Sequence, residues 1–322
     1  MHPQNSITGP ERQEASAART LGNVRITAET LSPSQARYVR RLARASVVDH
    51  TALQSIPRVT VLPGGMVAKQ FRGDNGNMPP GGPRGVVCGF SKASARRFRL
   101  KLAQIDMRAC ELTFGTLTWH NFWGDDWQDW KRARRRFTAR LQYHFPGLLG
   151  FIWRLEFQAR GAPHFHLLLC WKIGQRPQEN WFTTWAAAAW NACIEAQGDR
   201  DHLKHGAKFI NVQEGKGGVG AILGYMAKEM GKTDQSFLRD EDGEPLQTGR
   251  TWGVCGDIPM GPEMTIELTQ EEWTLFCSRV ASFGVGKGWY LGSINDAWPG
   301  FFLLGSFEQL GHLLSGIGGT SC

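Results

Sequence analysis

The 322-residue chain has no CxxC pair, and its seven cysteines (Cys88, Cys110, Cys170, Cys193, Cys255, Cys277, Cys322) are scattered and odd in number. That excludes a zinc knuckle of paired cysteines and a disulfide framework, and reads as reduced, cytoplasmic thiols. No apolar run reaches the roughly 18 residues needed to cross a bilayer; the nearest, 301–314, is broken by Glu308, Gln309 and His312. The first fifteen residues contain no apolar core of a secretory signal, so a soluble protein with no membrane partner is expected. No internal repeat is evident. The run Gly215 to Gly220 satisfies GxGxxG, but Ala221 and Ile222 follow where a phosphate-binding loop needs Lys and then Ser or Thr. Nor does an acidic βαβ partner follow, so nucleotide-binding and ATPase classes drop out.

What is present is positive charge. The formal net charge is +8 and the isoelectric point near 9.3, which suggests an anionic partner once the charge is found to be concentrated. It is concentrated on a helix expected over 125–145. There Trp127, Trp130, Ala133, Phe137, Leu141 and His144 make an apolar stripe, and Lys131, Arg132, Arg134, Arg135, Arg136 and Arg140 carry six cations in ten residues. Their mutual repulsion favours contact with a nucleic-acid backbone over a purely structural origin.

The chain is organised around 151–170, FIWRLEFQARGAPHFHLLLC. Strand periodicity makes this a hairpin with arms from Phe151 to Gln158 and from His164 to Cys170. His164, His166 and Leu168 then share one face, and folding the arms together brings Glu156 opposite the histidines. A polar stripe on a half-buried hairpin is ordinary. Two imidazoles on an otherwise apolar strand are less so, because burying them unpartnered is costly.

Around the hairpin, the pattern predicts a polar arm over 1–30, a helix from about Ser32 to Val48, and a Gly/Pro-rich loop over 63–90. A helix capped by Ser91, a strand over 110–119, a helix over 177–197 and a strand over 208–213 follow. A helix reaching Met230, a strand over 249–256 and a helix capped at Thr269 complete the reading; residues 282–322 receive no assignment. On the helix before Met230, Tyr225, Lys228 and Lys232 form a stripe apart from the apolar face of Ile222, Leu223, Met226 and Met230.

Taken together, LTFGTLTW at 112–119, Pro163-His164-Phe165-His166 and Tyr225-Met226-Ala227-Lys228 resemble, in that order, the three motifs of the HUH endonucleases, specifically the rolling-circle replication initiator (Rep) proteins of plasmids and single-stranded DNA phages. Phe90 to Leu100 and GRTWG at 249–253 are similar to Rep sequences as well. The resemblance spans about 88–260, leaving 1–87 as an arm, basic helix and linker and 261–322 as an extension. In conjugative relaxases the tyrosine precedes the histidines; here it follows, which suits the replication or transposition branch.

The resemblance implies an α+β fold, a central antiparallel sheet with flanking helices. It implies nicking of single-stranded or hairpin origin DNA through a 5′-phosphotyrosyl link at Tyr225 and a free 3′-OH, followed by rejoining. A Mg²⁺ or Mn²⁺ ion held by His164, His166 and Glu156 would stabilise phosphate charge, with Gln158 the competing third ligand. Lys228 would lower the pKa of the phenol, ordinarily near 10. Lys131, Arg132, Arg134, Arg135, Arg136 and Lys232 are the candidate DNA contacts, a bacterial host's helicase and polymerase the expected partners, and an oligomer is compatible. Glu229 stands where two-tyrosine initiators carry their second tyrosine. The alternatives are a transposase of the same superfamily and a non-catalytic DNA-binding module; a histidine-triad hydrolase fails because its third position is Leu168.

Overall fold

The computed structural model describes residues 19–21, 24–26, 56–70, 90–120, 123–124, 126–158, 160–195, 200–212, 248–283, 290–295, 298–304 and 313–315. In chain order, a short antiparallel pair, β1 (Arg19–Leu21) and β2 (Val24–Ile26), lies in the stretch expected to be an arm. Then come β3 (Pro57–Leu62), β4 (Gly65–Gln70), α1 (Lys92–Ala103), β5 (Glu111–Thr118), α2 (Trp127–His144), β6 (Leu148–Phe157) and β7 (Pro163–Trp171). The remainder comprises α3 (Glu179–Cys193), α4 (Arg200–His205), β8 (Ala207–Asn211), β9 (Trp252–Gly256), β10 (Met264–Glu267), α5 (Gln270–Phe283), β11 (Tyr290–Asn295) and β12 (Trp298–Leu304). The protein is α+β, as the sequence implies.

Two five-stranded antiparallel sheets dominate. The central one runs β8-β5-β7-β6-β9, with the histidine strand β7 in the middle. Its hairpin register sets Glu156 beside His164 and Arg154 beside His166. β5 lies on the other side of β7, with Thr116 beside His166 and Thr118 beside His164. The turn of the hairpin uses Gly161 at a φ of 83°, a left-handed value that favours glycine.

The two faces of this sheet have different covers. One buries Phe151, Trp153, Leu155, Phe165, Leu167, Leu169 and Trp171 beneath α2 and α3, which contribute Trp130, Phe137, Leu141, Phe182 and Trp190. Gly115 in the middle of β5 is required here, because the ring of Phe209 occupies the place of a side chain: a Cβ would come within 2.0 Å of Phe209 Cδ1. The opposite face packs Leu112, Phe114, Ile152, Leu168 and Cys170 against Ala95, Phe98 and Leu102 of α1. Its other half is polar and carries the histidines.

The second sheet runs β10-β3-β4-β12-β11, so stretches on both sides of the central sheet in sequence come together. One of its faces packs under α5, where Val59, Met66, Trp273 and Phe276 are buried. Leu62 and Val67 join the α1 cluster instead, which links this sheet to the central one through α1. The Gly/Pro-rich stretch expected to be a loop from residue 63 therefore begins as a strand, β4; residues 71–89 lie outside the described residues. So do the helix expected at 32–48, the glycine-rich turn at 214–220 and the helix bearing Tyr225.

Helix ends follow the sequence signals. Ser91 Oγ accepts from the Ser94 amide at the start of α1, and Asp126 caps α2 through the Gln128 amide. At α5, Thr269 Oγ1 accepts from the Glu272 amide while Glu272 Oε2 accepts from the Thr269 amide, a reciprocal capping box.

Candidate functional site

β7 alternates. Its odd positions Phe165, Leu167 and Leu169 enter the core under α2 and α3, so His164 and His166 emerge together on the α1 side. Their rings are 4.6 Å apart between centroids and nearly perpendicular, and Phe114 stacks on His166 at 5.7 Å. Across the hairpin, Glu156 Oε2 lies 3.1 Å from His166 Nε2, while Oε1 accepts from Arg154 Nη1 at 2.8 Å. On the β5 side, Thr118 Oγ1 and His164 Nδ1 are hydrogen-bonded at 2.6 Å. The same Thr118 offers its carbonyl to Trp190 Nε1 of α3 on the other face, which anchors the end of β5 from beneath.

The electrostatics favour a carboxylate beside neutral imidazole. Burial pushes the Glu156 pKa up, but His166, Arg154 and His164 outweigh it and hold the carboxyl at about 2. Burial, aided by His166 and by Arg160 and opposed by Glu156, pulls His164 down to about 3. His164 is therefore neutral at neutral pH, the form in which imidazole ligates a metal. Glu156 is ionised there, so the hydrogen bond to it is donated by the imidazole N–H of His166.

The hairpin turn is fastened to the end of β5. Arg160 donates through both terminal nitrogens to the carbonyls of Trp119 and His120, and through Nε to Gln158 Oε1 at 3.0 Å. Gln158, the competing third ligand, is thus tied to Arg160, whereas Glu156 is the carboxylate in contact with the histidine pair.

The donor set suits a hard or borderline divalent ion: two imidazoles and a carboxylate. The 3.1 Å between His166 Nε2 and Glu156 Oε2 is close to the roughly 3 Å separating neighbouring ligands on an ion with bonds of about 2.1 Å. As the side chains stand, however, no three His, Cys, Asp or Glu among the described residues converge in a ligating arrangement. The cluster is satisfied internally, by Arg154 at one end and Thr118 at the other.

The cationic run of α2 lies on the opposite side of the sheet, and the structure divides it. Lys131 and Arg134 are 9% and 7% exposed. Lys131 donates to the Thr248 carbonyl and sits over the Trp127 ring, and burial, with Arg134, Arg135 and Arg250 nearby, lowers its amine to about 8. Arg134 lies over the Trp153 ring at 4.1 Å, and burial brings it to about 10. These two work inside the fold, not on a surface open to DNA. Arg132, Arg135 and Arg136 are exposed, Arg132 paired with Asp129 and Arg136 with Glu195. Their helical spacing carried the signal: Lys131 and Arg134 stand four and seven residues after Trp127, within the inward stripe. Tyr225, Lys228 and Lys232 lie outside the described residues.

Fold and cluster together define an antiparallel α+β sheet with a His-x-His pair on its middle strand and a carboxylate across the hairpin. Residues 112–234 match the family model for replication-associated proteins of the ORF2 type, a stretch that runs from β5 through Tyr225 and supports a replication-associated protein. Two proteins of Xylella fastidiosa provisionally named as replication proteins are similar. One, from strain Temecula1, is 27% identical over 199 residues, covering 58% of this chain and 67% of its own length. The other, from strain 9a5c, is 27% identical over 193 residues, covering 58% and 62%. No solved structure matches the chain.

Proposed function

We propose that the protein initiates DNA replication by cutting one strand of its origin, with Tyr225 as nucleophile. The observation that carries this reading is the contact of Glu156 with His166, on the face and in the register where the His-x-His strand presents both imidazoles. The replication-associated family match and the two similar replication proteins give the biological setting.

In this reading His164, His166 and Glu156 hold Mg²⁺ or Mn²⁺. Bound there, the ion would supply positive charge to the nonbridging oxygens of the scissile phosphate. The residues of the chain do the rest. Thr118 fixes His164 through Nδ1, so that Nε2 remains for ligation. Phe114 stacks on His166 and limits its rotation. Arg160 ties the hairpin turn to β5 and keeps the two strands that bear the cluster in register.

The Tyr225 oxygen attacks the phosphorus and the 3′-oxygen leaves, so a 5′-phosphotyrosyl bond replaces the phosphodiester and the released strand ends in a 3′-OH. The phenolic proton must depart, which Lys228, one helical turn on, favours by its charge. Because one phosphoester replaces another, the 3′-OH can reverse the reaction and rejoin the strand. The exposed Arg132, Arg135 and Arg136 and Lys232 are proposed contacts to DNA phosphates.

The test is a denaturing gel with labelled single-stranded origin DNA and Mn²⁺. Wild-type protein should give a covalent adduct, Tyr225→Phe none with binding retained, and Glu156→Gln a greatly reduced yield. An undiminished adduct in Tyr225→Phe overturns the assignment. A preference for the ends of a mobile element over an origin would move the chemistry to transposition.

A further inference from the structure

Within the candidate site one charged residue is foreign to the task of attracting a cation. Arg154 is 1% exposed, on the row of the sheet that carries His166, and its Nη1 lies 2.8 Å from Glu156 Oε1. Its guanidinium also lies 4.8 Å from the ring centre of Phe90 and 6.0 Å from that of Phe98, the aromatic residues that α1 and its approach lay over the sheet. A buried guanidinium this close cancels the charge of the one carboxylate available to a metal.

We propose that Arg154 is the built-in counter-ion of the site: it holds Glu156 in place when no divalent ion is bound, and it weakens the binding of the ion when one arrives. The inference rests on the metal role proposed for His164, His166 and Glu156. A buried carboxylate left without a partner is strongly destabilising. A site that depended on the metal alone for compensation would therefore be unstable whenever the ion was absent. With Arg154 present, Glu156 is neutralised in both conditions, and the ion meets a pair of net charge zero instead of a free anion. Arg154 is accordingly a positioning residue: it sets how readily the ion exchanges and touches neither DNA nor the ion.

The test compares wild type, Arg154→Met, Glu156→Gln and the double variant Arg154→Met/Glu156→Gln. The full chain is used, with Mn²⁺ as the probe. Thermal unfolding in EDTA and in Mn²⁺ is read alongside Mn²⁺ affinity by calorimetric titration. Arg154→Met should unfold at lower temperature than wild type in EDTA and recover most of the loss in Mn²⁺. Its Mn²⁺ dissociation constant should fall about tenfold or more, because a unit charge opposing the ion is gone. The double variant should regain stability in EDTA and respond little to Mn²⁺. If Arg154→Met folds only with Mn²⁺, or not at all while the double variant folds, the same conclusion holds.

A stability loss equal in EDTA and Mn²⁺, a dissociation constant unchanged or raised, or a double variant no more stable than Arg154→Met overturns the counter-ion role, even if wild-type binding depends on Glu156. Wild-type Mn²⁺ binding that is absent, or unaffected by Glu156→Gln, overturns the metal reading itself and takes the inference with it.

Discussion

Acid should unfold this protein from the site outward, beginning at a higher pH than ordinary carboxylates would dictate. His164 is held at about 3 against an ordinary 6.5. Between those values the unfolded chain takes up a proton that the folded one refuses, so stability falls as pH drops from about 6.5 toward 3. Glu156 is held at about 2 against an ordinary 4.5. Its stabilisation is complete above about 4.5 and lost as pH falls toward 2, so both groups act in the same direction. The Glu156 displacement alone corresponds to roughly 3 kcal/mol at about 1.4 kcal/mol per pKa unit. The two groups face each other through His166 and titrate as a cluster, so their effects do not add. The assay is urea unfolding in EDTA at pH 7.5, 6, 5 and 4, followed by tryptophan fluorescence. The midpoint should decline from below pH 6.5. His164→Asn should flatten the upper part of that decline and Glu156→Gln the lower part. A midpoint constant from pH 7.5 to 4.5 in wild type would refute the buried, neutral state of His164.

Gly115→Ala should destabilise by about 1–3 kcal/mol or more, since its methyl would overlap the Phe209 ring, and Phe209→Leu in the same chain should relieve part of that loss in urea unfolding. Thr269→Ala should cost about 1 kcal/mol by removing the hydroxyl that caps α5, seen as a lower thermal midpoint with unchanged DNA binding. Arg135→Ala should weaken single-stranded DNA binding and reduce the salt slope by about 0.7 for each phosphate no longer neutralised, whereas Lys131→Met should leave the slope unchanged, because Lys131 is spent on Thr248 and Trp127. Equal slopes in Arg135→Ala and wild type would remove that face of α2 from the DNA interface.

The central sheet was legible because its signals are local. Strict alternation in LTFGTLT and in PHFHLLLC, an apolar stripe at helical spacing in 127–141, and Ser91, Asp126 and Thr269 at helix starts each fix an element within its own span. The second sheet was not, because its strand order joins β3 and β4 to β10 and β12, some 200 residues distant, and no window of sequence records which edge meets which. β4 also begins at Gly65 beside Pro63 and Gly64, a composition that argues for a loop. Within the site, the register that joins Glu156 to the histidine strand follows from a hairpin of period two. Arg154 shows the opposite case. It alternates with Glu156 and Gln158 as one more polar residue of the stripe, and only the aromatic cover from α1 makes it a buried charge.

The two faces of the central sheet divide the work, and the division explains where a polar cluster can be tolerated. Beneath β7 the α2 and α3 side is filled with tryptophan and phenylalanine side chains that leave no room for movement, and Trp190 reaches through to the Thr118 carbonyl. Above β7 the apolar cover stops at Phe114 and Leu168, and the rows beyond it carry Arg154, Glu156, His164 and His166. A cluster so placed is rigid below and dry at one end, so its charges interact more strongly than they would in water. That strength cuts both ways: it keeps His164 neutral and Glu156 ionised, and it makes any unbalanced charge costly. Phe98, which covers Arg154, packs in the same core as Leu62 and Val67 of the second sheet. The charge balance of the candidate site therefore depends on strands that the sequence places well outside the motifs, which gives the flanks of the chain a part in the chemistry through α1.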